Sequence, residues 1–481
     1  MTAVATTSTA TTFSAPLTYR YYTLQSVAAQ AIATFRRHLA STLCSNDLFG
    51  GHAPNPGDAE LSTPWLKNIL ISAGAIPKDA LISSVECTGL DGNRGLVGAM
   101  TRVLVTYTLS SNKEDSQSIH MILKKSRDGR RPRLANILSG HAREATFYSS
   151  DLAKNLLPST LLPKVYYAHA SQFLGQYVIL MEDVKQRRSK DKSEDPHKKP
   201  IDINFIFGNQ IWGLPENVKS QTLPPATDML DQMFLTAAEM HAQHWNDSRL
   251  LELNWLKTAA WYRGMGRTRW EWSVLAGLRA WEKGKAMAAS GDYNVKYSDR
   301  FIKIMDASLK HASWERFQER LQDKTLPFTL THGDFHAANM ILDRTGSSNS
   351  PTVTIYDWSE VCIWEPTTDL GQTVISDVAA PVFKAHARKA LQKYWDRLIE
   401  LGVVKAAEYP FETCWKHFVR GGIEKWLWTF AILCSYPGMP AQGVQYFHDQ
   451  MLAFMELADN GGEECYEITT VLCFLPPEAQ P

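Results

Sequence analysis

The chain has 481 residues, 44% of them hydrophobic, and its 50 Lys and Arg balance 50 Asp and Glu, so the formal net charge is zero. A chain of this length can bury a large core and provides for two or three domain-sized units. Zero net charge excludes the global basic field that gathers nucleic acid or an anionic membrane surface. No apolar stretch reaches the roughly 18 residues of a membrane-spanning helix, so we expect neither a nucleic-acid partner nor a membrane span.

The seven cysteines are scattered and show no CxxC spacing. An odd, unpaired set argues against a disulfide framework or a zinc site and favours a reducing compartment. Residues 1–15 are rich in Thr, Ala and Ser and lack the regions of a secretory signal. We expect a short tail on a cytoplasmic protein, although the low acidity of the tail also fits an organelle transit peptide. The sequence leaves the oligomeric state unknown.

Apolar spacing predicts a first helix at 20–43 and a second from Ser62 to Gly74. From Ile82 the periodicity becomes strand-like. The next predicted elements are strands at 82–90, 100–109 and 118–125, a helix around 141–152 and a pair of strands within 166–184. From 226 onwards the pattern is mostly helical, which makes the chain an α+β protein with a sheet-rich first part.

The loop between the first two strands is rich in glycine and includes Gly92 and Gly95. Glycine permits tight turns and lets backbone N–H groups approach a phosphate closely. The run is not GxGxxG and a hairpin turn would also be glycine-rich, so the loop alone is a weak signal. Its significance rises because it lies two strands before a strand that ends in Lys124.

The most informative run is Thr-His-Gly-Asp-Phe-His-Ala-Ala-Asn at 331–339, followed after a predicted strand by Asp357. An acid that accepts a proton from a hydroxyl, together with an amide and a carboxylate that hold Mg²⁺, is the minimum equipment for phosphoryl transfer from ATP. We therefore predict Asp334 as the catalytic residue and Asn339 and Asp357 as Mg²⁺ ligands. Singly these residues also favour turns, and only their combination indicates a site.

The motif His-Gly-Asp-x-His-x-x-Asn at 332–339, with Asp-Trp at 357–358, resembles the aminoglycoside phosphotransferase and choline kinase superfamily, and more narrowly its ecdysteroid-kinase-like branch. The resemblance implies a two-lobed protein-kinase-like fold. Such a fold has a small antiparallel-sheet N-lobe with one main helix and a larger, mostly helical C-lobe.

The resemblance also implies roles for residues upstream. Lys124 stands after an apolar triplet, where the phosphate-contacting lysine would be, and Glu144 lies in an E-x-x-F-Y fragment as its ion-pair partner. The run Met181, Glu182 and Asp183 matches the interlobe hinge, whose backbone groups bind the adenine edge. We expect Lys124, rather than its neighbour Lys125, to face the nucleotide.

Two further positions follow from the same resemblance. Asp369 matches an acid that opens a helix, and we expect it to brace backbone N–H groups at that helix start or in the catalytic loop. Gly333 stands where protein kinases have the Arg that receives a phosphorylated activation loop. Its presence weakens the protein-kinase interpretation and favours a small-molecule acceptor.

We therefore predict an ATP- and Mg²⁺-dependent O-phosphotransferase that acts on a hydroxyl of a small-molecule metabolite. A catalytically inactive kinase-like nucleotide-binding protein and an atypical protein kinase stay open as alternatives. An aromatic-rich C-terminal region would line the acceptor pocket and suit a polycyclic alcohol or a cationic amine, although core packing explains most of these aromatics. They are Trp415, Phe418, Trp426, Trp428, Phe430, Tyr436 and Tyr446.

Composition and motifs divide the chain into four parts. Residues 185–200 are rich in Lys, Arg, Ser and Asp with two prolines, which predicts a solvated surface segment. The predicted parts are an N-terminal tail and helix at 1–61, a kinase-like N-lobe at 62–184, a charged linker or insertion at 185–225, and a helical C-lobe at 226–481 with a catalytic segment at 326–372.

Overall fold

The computed structural model describes residues 61–89, 98–109, 112–127, 136–137, 140–158, 161–171, 174–187, 199–208, 223–291, 293–310, 312–345, 351–436 and 438–458. The helix predicted at 20–43, the glycines Gly92 and Gly95 and most of the charged segment 185–200 lie outside these residues.

An antiparallel five-stranded sheet forms the first lobe. Its strands are β1 (Ala80–Gly89), β2 (Gly98–Leu109), β3 (Asn112–Ser126), β4 (Val165–Ser171) and β5 (Gln176–Glu182), in the order β1-β2-β3-β5-β4. Successive side chains of a strand point to opposite faces of the sheet. On β5, Val178 and Leu180 therefore pack in a small core beside helix α1 (Thr63–Ser72), whereas Ile179 and Met181 face the large core of the protein.

The helix predicted around 141–152 is present as two short helices, α2 (Arg143–Ser149) and α3 (Asp151–Asn155). The prediction of one continuous helix was wrong because Ser150 is extended, with φ −80° and ψ 162°. Its hydroxyl donates to the carbonyl oxygen of Phe147 at 2.6 Å, which satisfies the end of α2 with a side chain. The chain then returns to the sheet with β4 and β5.

The second lobe is mostly helical. Its helices are α4 (Ile203–Phe207), α5 (Ala226–Ala242), α6 (Ala259–Tyr262), α7 (Arg267–Ala289), α8 (Asp299–Lys310), α9 (Trp314–Leu321), α10 (Thr367–Asp377), α11 (Ala380–Glu400), α12 (Phe411–Leu433) and α13 (Ala441–Met455). Every residue of α10 is buried, and α10 packs closely against α12. In the part of the chain that the structure describes, none of the helices combines the length and apolar character needed to cross a membrane.

Two small sheets carry the catalytic segment. β6 (Ile201–Asp202), β8 (Met340–Asp343) and β9 (Thr352–Ile355) form one sheet in the order β6-β8-β9, and β7 (Thr329–Thr331) pairs antiparallel with β10 (Cys362–Trp364) in the other. The chain leaves β7 into the catalytic loop and returns to β10 after Asp357, so the pairing of these strands brings the two loops side by side. Residues 199–208 contribute β6 and buried residues of α4 to this layer.

The large core joins the two lobes. It contains Phe147, Ile179 and Met181 from the first lobe together with the buried faces of the helices of the second. This arrangement is the mixed α+β, two-lobed kinase-like fold, and the predicted fold class is confirmed.

The contact between α10 and α12 depends on two glycines. A Cβ added to Gly371 would lie 2.5 Å from the Cα of Gly422. We expect Gly371→Ala to lower the free energy of unfolding by about 1–3 kcal/mol, because the helices would have to separate. Denaturant unfolding measures this change, with Gly89→Ala as the control, since a Cβ at Gly89 meets nothing within 4 Å. Helix propensity alone would give the opposite sign, so a rise in stability would contradict the close contact.

Candidate active site

The catalytic loop turns sharply at Gly333. Its φ is +76°, a conformation that strains residues with a Cβ, and a Cβ there would lie 2.2 Å from the carbonyl oxygen of Glu360. The position therefore requires glycine on two grounds. An arginine, as in the protein-kinase motif, has no room at this point of the fold.

Asp369, at the start of α10, holds the backbone of the catalytic loop. Its carboxylate accepts hydrogen bonds from the N–H of His332 at 2.8 Å and from the N–H of Gly333 at 3.1 Å. It is buried and also lies 3.4 Å from Nε2 of His241, whose Nδ1 is 3.1 Å from the hydroxyl of Tyr394. The expected brace is present in the catalytic loop, and His241 is a core histidine that supports it.

His332 links the two loops of the site. Its Nε2 lies 3.1 Å from the carbonyl oxygen of Tyr356, and the N–H of Asp334 donates to its Nδ1 at 3.3 Å. This pattern requires the neutral ring with its proton on Nε2. Burial lowers the pKa of the His332 ring, although the negative charges of Asp369 and Asp334 act to raise it. The lowered pKa favours the same neutral form.

The carboxylate of Asp334 is held on both oxygens. Nε2 of Gln372 donates to Oδ1 at 2.6 Å, and Nδ2 of Asn339 donates to Oδ2 at 3.2 Å. Nε2 of His336 lies 3.5 Å from the same Oδ2. The side chain of Asp334 is still 38% exposed, so a ligand can reach it. Sequence reasoning missed Gln372, although its position three residues after Asp369 places both on one face of α10.

Asp334 and His336 form a charged pair at neutral pH. Burial acts to raise the pKa of Asp334, but His336, and after it Lys425, holds this pKa well below its ordinary value. Burial acts to lower the pKa of His336, but Asp334, with Asp377 and Asp357, raises it to about 9. The carboxylate is therefore ionised, and the imidazolium beside it offsets part of its charge.

Lys124 joins the two lobes through two carboxylates. Its Nζ lies 2.6 Å from Oε2 of Glu144 on α2 and 2.8 Å from Oδ1 of Asp357, so the predicted ion pair with Glu144 is present. Burial acts to lower the pKa of Lys124, but Asp357 and Glu144 outweigh it and hold the pKa above its ordinary value. Burial raises the pKa of Glu144 to about 7, although Lys124 acts in the opposite direction. Lys124 is buried on the inner face of β3, as expected, and Lys125 is half-exposed.

Helix α2 also holds the loop that follows Asp357. Nη1 of Arg143 donates to the carbonyl oxygen of Ser359 at 2.6 Å, and the ring of Phe147 stacks on Trp358 with centroids 4.4 Å apart. Asp357 itself has a φ of +61°, which is uncommon for a residue other than glycine. Two contacts from α2 therefore hold the residues that follow this strained position, and Arg143 is a second residue that sequence reasoning missed.

The predicted hinge lies at the end of β5. Met181 is buried in the large core, and the side chains of Glu182 and Asp183 form ion pairs with Arg187 and Arg102. These side chains are therefore occupied within the protein. An adenine contact at this point would fall to backbone groups, as the resemblance implied.

The oxygens at the site suit a hard cation. The amide N–H₂ of Asn339 donates to Asp334, so its Oδ1 is the atom left to bind a ligand, and the carboxylate of Asp357 is 37% exposed. One carboxylate and one amide oxygen, completed by water and phosphate oxygens, match the way Mg²⁺ is usually bound. Within the described residues, no group of three or more His, Cys, Asp and Glu is arranged to hold a metal ion.

Four of the aromatic side chains of α12 are engaged in packing. Phe418, Trp426 and Phe430 are almost completely buried in the large core. Trp415 is half-buried, and the guanidinium of Arg388 lies 4.9 Å from its ring centroid. The core-packing interpretation therefore accounts for these four residues, and the aromatic pocket expected from the sequence is not formed by them.

Comparison with known proteins defines the class of this site. Residues 208–401 match the family model for the phosphotransferase enzyme family, APH. The match includes Asp334, Asn339 and Asp357 and confirms the superfamily resemblance that the motifs indicated. Residues 208–401 therefore match this phosphotransferase family, whereas the narrower ecdysteroid-kinase-like branch stays a prediction.

Several solved structures are similar to most of the chain. An ethanolamine kinase from Plasmodium vivax matches with a TM-score of 0.40 and 9% identity, over 83% of this chain and 90% of that chain. The choline kinase LicA from Streptococcus pneumoniae matches with a TM-score of 0.36 and 13% identity, over 82% of this chain and 99% of that chain. A choline/ethanolamine kinase family protein from Mesorhizobium loti matches with a TM-score of 0.34 and 12% identity, over 85% of this chain and 99% of that chain. No curated protein sequence matches the chain.

The charged pair beside the catalytic loop predicts an unusual histidine titration. We expect the ring of His336 to titrate near pH 9 in NMR spectra, instead of near its ordinary value of 6.5, with His336→Gln to assign the signal. Asp334→Asn removes the negative charge that stabilises the imidazolium, so the pKa should fall by at least one unit, about 1.4 kcal/mol. A titration near 6.5 that Asp334→Asn leaves unchanged would contradict the pairing.

Proposed function

We propose that the protein is an ATP- and Mg²⁺-dependent O-phosphotransferase whose acceptor is a hydroxyl of a small-molecule metabolite. The proposal rests on one observation, that two sets of charged side chains lie in the same site. The carboxylate of Asp334 is fixed by Gln372 and Asn339, and Asp357 contacts Lys124 and therefore the Glu144 ion pair. These are the positions at which a kinase holds an acceptor hydroxyl and the phosphates of its nucleotide.

The nucleotide would be held by cationic and oxygen groups from both lobes. Lys124, oriented by Glu144, would contact the phosphates, and backbone groups near Met181 would bind the adenine. Oδ1 of Asn339 and the carboxylate of Asp357 would hold Mg²⁺, which when bound neutralises charge on the phosphates. The glycine-rich loop with Gly92 and Gly95 is proposed to cover the phosphates through its N–H groups.

Asp334 would act on the acceptor. The acceptor oxygen forms a bond to the γ-phosphorus as the bond from that phosphorus to the bridging oxygen breaks, and ADP leaves. The hydroxyl proton goes to the carboxylate of Asp334. A carboxylate with a pKa this low is a weak base, but phosphoryl transfer through a loose transition state depends mainly on positioning and charge neutralisation. Gln372 and Asn339 provide that positioning for Asp334.

Two observations favour this function over the alternatives. Gly333 leaves no space for the arginine that serves regulated protein kinases, which supports a small-molecule acceptor. The acid, the amide, the second carboxylate and the Lys124–Glu144 pair are all present in one site, which supports an active enzyme. We also propose a cytoplasmic location, in line with the scattered cysteines.

The proposal predicts the behaviour of Asp334→Asn. Turnover of MgATP with the best acceptor in a library of hydroxylated metabolites should fall by at least ~100-fold, because the group that positions the hydroxyl and accepts its proton is lost. Binding of MgATP should change by less than about threefold. Product formation is followed by ³¹P NMR and nucleotide binding by calorimetry.

Asp151→Asn is the matched control, because the Asp151 side chain is 87% exposed and pairs only with nearby Lys154 among the described residues. This variant should retain full turnover. Activity of Asp334→Asn equal to that of the control would refute the assignment of the catalytic carboxylate.

A further inference from the structure

The ammonium group of Lys425 lies directly beside the catalytic loop. Its neighbours on α12 are internal, because Glu424 pairs with buried Arg320 and Trp426 lies in the core. Lys425 instead is half-buried, and its Nζ donates to the carbonyl oxygen of Gly333 at 2.6 Å. The ammonium is therefore fixed at the residue that precedes Asp334.

The ammonium of Lys425 has unused hydrogen-bonding capacity. A lysine carries three N–H donors, and the carbonyl oxygen of Gly333 takes one of them. Across the ranges that the structure describes, no other acceptor bonds to this nitrogen and no carboxylate forms an ion pair with it. Two donors therefore remain for a ligand that approaches Asp334.

Lys425 lies among several other charged side chains. Glu360 forms an ion pair with Lys257. The backbone carbonyl oxygen of Glu360 lies against Gly333. Burial acts to raise the pKa of Glu360, but Lys257, Arg143 and Lys425 hold it below its ordinary value. Glu360 thus faces three cations, and the nearby carboxylate of Asp334 is paired with the imidazolium of His336.

A cationic acceptor has little to bind here. Two acids, one on α12 and one directly after β10, are internal, since Glu424 pairs with Arg320 and Glu365 accepts hydrogen bonds from Thr367 and Thr368. The guanidinium of Arg388 lies over the ring of Trp415, as described above. An amine would meet the repulsion of these cations, and the carboxylate of Asp334 is already paired with His336.

We propose that the acceptor is an anionic alcohol, a hydroxycarboxylate or a phosphorylated alcohol, whose anionic group binds Lys425 while its hydroxyl lies against Asp334. The inference rests on the proposed function and specifies the substrate class of the same site. Lys425 is then a specificity-determining residue. Lys257 adds to the positive field but stays paired with Glu360.

The substrate class is tested by a charge-sorted acceptor screen of the wild-type protein with MgATP. The four arms are hydroxycarboxylates, phosphorylated polyols, neutral polyols and sterols, and amino alcohols, with ADP formation as the readout. We expect kcat/KM to be at least tenfold higher for the best anionic acceptor than for its neutral counterpart. The two anionic arms distinguish a carboxylate from a phosphate ester. A best acceptor that is neutral or cationic would overturn the inference alone, and the lack of turnover in every arm would overturn the proposed function.

Lys425→Met tests the role of the side chain, because it removes the charge and keeps the length. KM for the anionic acceptor should rise at least tenfold, with kcat and KM for ATP changed less than threefold, and Lys425→Arg should recover most of the loss. An equal loss of kcat with every acceptor would instead place Lys425 on the transferred phosphoryl group and refute the inference.

Lys416→Met is the matched control, since Lys416 is an exposed lysine on the same helix. It should leave both constants unchanged. If Lys425 served only to hold the loop, Lys425→Met would lower thermal stability without changing the preference for anionic acceptors, which would also refute the inference.

Discussion

The site depends on one buried ammonium group. Lys124 on β3 lies between Glu144 on α2 and Asp357 after β9, so a single charge connects both lobes at the point where the nucleotide is proposed to bind. Burying a lysine is costly unless the charge is paired, and removal of Lys124 would leave the carboxylates of Glu144 and Asp357 without their cation. The alternation of β3 decides which lysine takes this role, because Lys124 faces α2 and Lys125 faces away.

A second constraint lies in the contact between α10 and α12. Helix α10 carries Asp369, which holds the catalytic loop, and Gln372, which holds the carboxylate of Asp334. Helix α12 carries Lys425, whose ammonium meets the same loop from the other side. Because these helices approach at the glycines 371 and 422, the orientation of the Asp334 carboxylate and the charge beside it depend on one packing contact.

Local sequence patterns predicted much of this arrangement, because period-two and helical spacing reflect burial directly. The strands, the inner position of Lys124 and the brace at Asp369 follow from such patterns and from the family motif. The break at Ser150 was not predictable from spacing, since a single extended residue ended α2. Gln372, Arg143 and Lys425 were missed because their partners lie far away in the chain, and only the packing of α2, α10 and α12 brings them to the site. The aromatic residues of α12 led to a wrong expectation, because composition does not distinguish side chains that pack in a core from side chains that line a pocket.

Binding of a non-hydrolysable ATP analogue, measured by calorimetry with and without Mg²⁺, tests the central claim most directly. The account predicts binding that Mg²⁺ strengthens in the wild-type protein, a loss of at least tenfold, about 1.4 kcal/mol, in Lys124→Met, and loss of the Mg²⁺ effect in Asp357→Asn. Because these variants alter a buried ion network, their folding is checked in the same samples by circular dichroism. The absence of binding to the folded wild-type protein, or binding that neither Mg²⁺ nor the two substitutions change, would contradict the claim that this ion network is a nucleotide site.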